Sequence, residues 1–145
     1  MRMLVDGSNL LGALRLEREG DRPKRELLKL LAEYGRKNRR RILCFFDGPR
    51  PAAFATQLGH VTARFSAPKS ADDAIVEEVE KLGKEPFEVV TSDRALAARC
   101  RRRTVTILDS TAFARTLERT AEEGEGSPPA EEWESYFSDP KNRNI

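Results

Sequence analysis

The sequence predicts a three-layer α/β domain: a mainly parallel sheet of about five strands with helices on both faces. Short runs that are apolar throughout, Met3–Val5 and Ile42–Phe46, or mostly so, Phe87–Val90 and Val105–Leu108, read as buried strands. Helical patterns separate them, which makes βαβ units with right-handed crossovers. Each run is also followed closely by an acid: Asp6, Asp47, Asp93 or Asp109. In a parallel sheet these C-terminal ends share one edge, the edge where open α/β sheets take ligands.

In chain order, Asp6 closes the first strand and Gly7 is expected to let the backbone turn there. Asn9–Glu19 reads as a short helix carrying Leu10, Leu11, Leu14 and Leu16. Gly20–Pro23 is turn chemistry, with Pro23 suited to a first helical turn. Lys24–Lys37 repeats leucines near the helical period, and the second strand follows, ended by Asp47-Gly48-Pro49. Pro51–Leu58 is expected as a short helix and Val61–Phe65 as a partly exposed edge strand. Ala71–Leu82 presents Ile75, Val76, Val79 and Leu82 on one helical face. Ala95–Arg102 and Ser110–Glu122 complete the helices, and no internal repeat is visible.

At 145 residues the chain suits one domain, residues 1–123, followed by an acidic tail, 124–145, made of a linker and a short docking helix around Trp133, Tyr136 and Phe137. No run approaches the length of a membrane span, and no signal-peptide core precedes the first strand, so a cytoplasmic protein is expected. Cys44 and Cys100 have no metal-type spacing and read as free core thiols. Residues 121–145 hold seven acids against Lys141 and Arg143, a net −5, so the first 120 residues carry +7 against +2 for the whole chain. A basic body of this kind is compatible with a polyanionic partner such as RNA, and with no nucleic acid at all.

Asp72 and Asp73 open a helix from the same edge as the strand-tip acids, and Asp72 is in phase with the core positions Ile75, Val76 and Val79. Carboxylates crowded together raise one another's pKa values, a cost that a hard divalent cation removes. Several of these acids have a structural reading as well. Ser70-Ala-Asp72-Asp73 resembles a capping box, Asp109 reads as a helix start, and Ser92 can cap so that Asp93 is left free. Asp6 and Asp72 have no evident cap to make.

The segments LVDGSN, FFDG, KSADDAIVEE and VVTSDRAL, in this order and spacing, resemble the NYN domain of the PIN-like nuclease superfamily, and most nearly its YacP-like subfamily. The usual subfamily pattern is a strand ending Asp-Gly-Tyr-Asn, a Phe-Asp tip, Thr-Ala-Asp-Asp/Glu and Thr-Ser-Asp; the resemblance spans about residues 1–120. It implies a PIN-like fold and a divalent-metal-dependent endoribonuclease using Mg²⁺ or Mn²⁺. It assigns metal-binding, catalytic acids to Asp6, Asp72 and Asp93, with Asp47 and Asp73 in support, and a site-orienting role to Asn9. Ser8 stands where the family usually has Tyr, which leaves the contact made at that position open.

His60 precedes a strand, on the side of the sheet away from the acids, and no Ser/His/Asp triad or Gly-rich phosphate loop is present. A metal-activated water held by the clustered aspartates remains as the nucleophile for RNA phosphodiester cleavage. Thr91 and Ser92 are expected to orient the site through their hydroxyls, and Arg50, Lys69 and Arg94 to contact RNA phosphates. The resemblance implies RNA as the substrate class, with mRNA presented by a ribosome as one form. Lys37–Arg41 and Arg101–Arg103 precede strands and belong at the opposite edge. The alternatives are a non-catalytic RNA-binding module of the same superfamily and, ranked below it, a phosphoacceptor receiver-like domain. A receiver usually carries Lys at the last strand tip, where this chain has Asp109.

Overall fold

The computed structural model describes residues 1–125: Gly124 and Glu125, expected to begin the linker, continue the last helix instead, and the rest of the linker and the docking helix expected in the tail lie outside the described residues. The strands are β1 (Arg2–Asp6), β2 (Arg41–Phe46), β3 (Gln57–Leu58), β4 (Val61–Phe65), β5 (Phe87–Val90) and β6 (Val105–Leu108). The helices are α1 (Gly7–Ala13), α2 (Asp21–Asn38), α3 (Ala71–Leu82), α4 (Arg94–Cys100) and α5 (Ser110–Glu125). They form one sheet in the order β3-β4-β2-β1-β5-β6. All neighbours are parallel except the short β3, which pairs antiparallel with β4. Among the described residues no helix is long and apolar enough to cross a membrane.

The continuous apolar runs follow from burial on both faces. Met3, Val5, Ile42, Cys44 and Phe46 pack with α1, α2 and α5 residues such as Leu11, Leu31 and Leu117. Their neighbours Leu4, Phe45, Phe87 and Val89 face the other way, onto Ile75 and Val79 of α3 and Leu96 and Cys100 of α4. The two cysteines are buried and free, and burial pushes both thiols up, Cys100 to about 11.

Four sequence expectations need correction. Pro51–Leu58 is not a helix: Phe54 N–H bonds Pro51 O, Ala53 takes a positive φ of 61°, and Gln57–Leu58 becomes edge strand β3. That path lets Phe54 pack edge-on against Phe65 at 5.2 Å, and it moves β4 one place in from the edge. The first helix ends at Ala13, not Glu19. Leu16 N–H bonds Leu11 O and Arg15 N–H bonds Gly12 O, with Arg15 left-handed at φ 62°, a Schellman closure with arginine where glycine is usual. Gly7 is already helical, so it does not serve as a turn. A Cβ there would sit 2.6 Å from both Phe45 O and Phe46 Cε1, so the need is for space. Asp93 itself, not Ser92, caps its helix.

Candidate active site

Parallel strands bring Asp6, Asp47, Thr91–Asp93 and Asp109 to one edge because each follows the C-terminal end of its strand. Asp6 closes the central strand β1 and is only 6% exposed. Val5 pairs with Val90, so Thr91 continues beside Asp6, and its hydroxyl donates to Asp6 Oδ2 at 3.0 Å. The same Thr91 Oγ1 accepts Asp93 N–H at 3.1 Å. Asn9, on the first turn of α1, accepts Ser92 N–H through Oδ1 at 2.8 Å. Ser92 Oγ in turn donates to Asp109 Oδ1 at 2.7 Å. Side chains thereby tie the ends of β1, β5 and β6 together.

On the other side of β1, Asp47 Oδ1 accepts the N–H of Ala71, the first residue of α3, at 2.9 Å. This bond fixes the start of α3 against the tip of β2 and so places Asp72. Burial raises the pKa of Asp6 from 3.8 to about 6; the Thr91 hydroxyl and Asn9 N–H oppose the rise, and Asp72 and Asp47 add to it. Asp72 is also raised, first by burial and then by Asp93 and Asp47, with Arg99 in opposition. Asp6, Asp47, Asp72 and Asp93 therefore share one electrostatic neighbourhood.

The remaining residues separate from this group. Asp73 N–H bonds the Ser70 hydroxyl, while its carboxylate turns to Arg99 at 3.0 Å. Lys69 is paired with Glu77 at 2.6 Å. Arg50 and Arg94 are exposed and have no ion pair among the described residues. Ser8 is half-buried on α1 and makes no side-chain hydrogen bond to a described residue. Sequence reasoning overlooked Lys24 and Arg25. α2 runs antiparallel to the strands, so its first turns rise at the acid edge, with Lys24 Nζ 5.8 Å from the Phe46 ring and Arg25 5.3 Å from that of Phe54. The return of α2 between two parallel strands was the available signal.

The donor set is hard, anionic oxygen, which fits Mg²⁺ or Mn²⁺. Among the described residues no three carboxylate, imidazole or thiol groups stand close enough to chelate an ion directly. The fit is therefore to a hydrated ion, since Mg²⁺ keeps several waters and binds through one or two carboxylates. The two buried hydroxyls without a partner among the described residues, Ser66 and Ser110, also follow strand ends on this edge, where water or an ion is the usual explanation for such groups.

The model of the YacP-like NYN domain matches residues 3–140. The chain belongs to the YacP-like NYN family. This is a nuclease-type domain family. Two crystal structures of Rae1 (YacP) from Bacillus subtilis, one of a point mutant, are similar to this chain at 21% identity. They cover 86% of it and 78–79% of their own length, with TM-scores of 0.70 and 0.67, a likeness that establishes the fold. Comparison with curated protein sequences gives no match. The fold expected from the family motifs is borne out, with β3 as an added sixth strand.

Proposed function

We propose that this YacP-like NYN domain is a divalent-metal-dependent endoribonuclease whose hydrated cation sits among Asp6, Asp72 and Asp93, bound directly by one or two of them, with Asp47 beside them. One observation carries the reading: carboxylates from the ends of three strands and the start of α3 crowd one edge, where burial first and the neighbouring carboxylates second raise the pKa values of Asp6 and Asp72. Such an arrangement costs stability in the empty site and is relieved by a cation.

A Mg²⁺ or Mn²⁺ bound there supplies positive charge against the scissile phosphate and acidifies a water. The chain's own residues hold the geometry. Thr91 keeps Asp6 oriented by its hydroxyl, and Asn9 holds the Ser92 peptide that carries Asp93 to the site. Asp47 anchors α3 so that Asp72 faces the group. Arg50 and Arg94, exposed and without an ion pair among the described residues, take flanking phosphates in this reading; Lys24 and Arg25 extend that positive rim. Asp73 and Lys69 have partners elsewhere and act in support.

The test is incubation of the purified protein with a panel of RNAs, including ribosome-bound mRNA, in Mg²⁺ or Mn²⁺ and in chelator. Asp6→Asn and Asp93→Asn are run beside it. Cleavage is expected only with cation and only in the unsubstituted protein. Cleavage that persists in chelator, or in both variants, refutes the metal mechanism; metal-independent RNA binding without cleavage identifies a non-catalytic module.

A further inference from the structure

Two concavities lie at the edge opposite the acids. A cavity of about 390 Å³ is lined by Arg2, Arg36, Arg39, Arg40, Arg41 and His60, with Glu85 at its margin. A second, of about 440 Å³, shares Arg2, Arg41 and His60 and continues past Thr62 to Arg64. Most of these cations have counter-ions. Arg36 pairs with Glu33, Arg40 with Glu88 at 2.7 Å, Arg2 with Glu85 at 3.7 Å and Arg64 with Glu78 at 2.9 Å. Arg39 and Arg41 are exposed and have no acidic partner among the described residues. Arg40 between them is held by Glu88 and by the Asn38 carbonyl at 2.7 Å.

We propose that this edge is a second, non-catalytic site for RNA, binding the phosphodiester backbone of a strand whose remote segment reaches the acids. The inference rests on the reading of the substrate as RNA. The shape of the cationic row argues for a linear polyanion over a compact one. Arg39–Arg41 lead into β2, Arg2 opens β1 and Arg101–Arg103 precede β6. From β2 to β6 the sheet order gives three strand spacings, roughly 14 Å at about 4.8 Å each. A stacked nucleic-acid strand advances about 3.4 Å per nucleotide, so the row spans on the order of four phosphates. A single small anion would use one arginine pair and leave the rest idle.

The two edges also divide the work. Carboxylates repel phosphate, so the acid edge is a poor source of RNA affinity before a cation binds, and cations elsewhere must supply it. The edges are separated by strands of four to six residues in β1, β2, β4, β5 and β6. At about 3.3 Å per residue that is roughly 13–20 Å, a distance covered by about four to six stacked nucleotides.

The deciding experiment measures binding of a fluorescent, unstructured RNA of about twenty nucleotides, long enough for both edges at about 3.4 Å per nucleotide. It is done in chelator over a series of salt concentrations, with the double variant Arg39→Gly/Arg41→Gln. Glycine suits the left-handed backbone at residue 39, where φ is 56°, so strain does not confound the result. Single Arg41→Gln is the second variant, and thermal unfolding checks both. Affinity is expected to fall about tenfold for the pair and about fourfold for the single change at physiological salt. The log–log salt slope should shrink by about 1.4 for the pair, two single-strand phosphate contacts. With cation present, kcat on saturating RNA should stay unchanged while KM rises. Unchanged affinity and slope in the folded double variant overturn the proposal, as does a loss of ATP binding with RNA binding intact, which marks a small-anion pocket. An unsubstituted protein that cuts no RNA refutes the nuclease reading alone, because the chelator arm still decides this one.

Discussion

Replacing Asp6 by Asn should stabilise the metal-free protein while abolishing its metal response. Asp6 is 6% exposed, and burial, reinforced by Asp72 and Asp47, lifts its pKa from 3.8 to about 6. A shift of about two units corresponds to about 3 kcal/mol at neutral pH, at about 1.4 kcal/mol per unit. Native Asp6 holds its proton more tightly than Asp6 in the unfolded chain, so the native state carries the extra proton between about pH 4 and pH 6. Stability must then fall as pH rises through that window and level off above it. Asparagine carries no charge to desolvate, and its oxygen can still accept the Thr91 hydroxyl that now bonds Oδ2. Urea unfolding in chelator should show Asp6→Asn about 2–3 kcal/mol more stable at neutral pH, with the gap closing once both states of Asp6 are protonated. Adding Mg²⁺ at about a thousandfold its Kd should reverse the order, since that stabilises the native state by about 4.1 kcal/mol, more than the gap. A variant no more stable than the parent at neutral pH, or a gap that persists in acid, refutes the account of Asp6 as a buried carboxylate held against its own preference.

Three further substitutions separate structure from chemistry. Gly7→Ala should destabilise by about 2–4 kcal/mol in thermal unfolding, because the new Cβ meets the Phe45 carbonyl and Phe46 ring at 2.6 Å. Asp93→Asn should keep the α4 cap, now made to Ala95 and Leu96 N–H, and lose RNA cleavage; Asp93→Ala should lose cleavage and about 1 kcal/mol of stability as well. Asp109→Ala should cost about 1 kcal/mol through loss of its cap on Thr111 and Ala112. In hydrogen exchange it should also speed the Ser110 amide, whose acceptor Ser92 Oγ is held by Asp109.

The elements that were legible in sequence are those governed by burial. Ile42–Phe46 and Phe87–Val90 are apolar at every core position because both sheet faces are covered, and α3 shows its core face through Ile75, Val79 and Leu82. The elements that were not legible are governed by local backbone geometry. Arg15 and Arg39 occupy left-handed positions where glycine usually announces a helix end, so the end of α1 had no visible mark. Pro51–Leu58 carries a helix-compatible composition, yet the gain from placing Phe54 under Phe65 bends it into a turn and an edge strand. The position of Lys24 and Arg25 at the acid edge follows from α2 returning between two parallel strands, but the rings of Phe46 and Phe54 beneath them are visible only in three dimensions.

The acids show why the choice between cap and ligand could not be made from sequence. A carboxylate has two oxygens, and the fold engages one while leaving the other. Asp93 gives Oδ1 to the N-terminus of α4, and Asp47 gives Oδ1 to the Ala71 amide. In both, Oδ2 takes no hydrogen bond from a described residue, so capping does not remove the acid from the site; it fixes the direction in which the second oxygen points. Asp109 is the contrasting case. Ser92 occupies Oδ1 and the first turn of α5 occupies Oδ2, and these bonds hold its carboxyl below the usual range. Its charge is satisfied within the protein, while Asp6 and Asp72 are raised by burial and by their neighbours. Of the acids at this edge, the raised pair are therefore the ones that gain most from a cation, and Asp109 serves to hold the Thr91–Asp93 segment in place beside them.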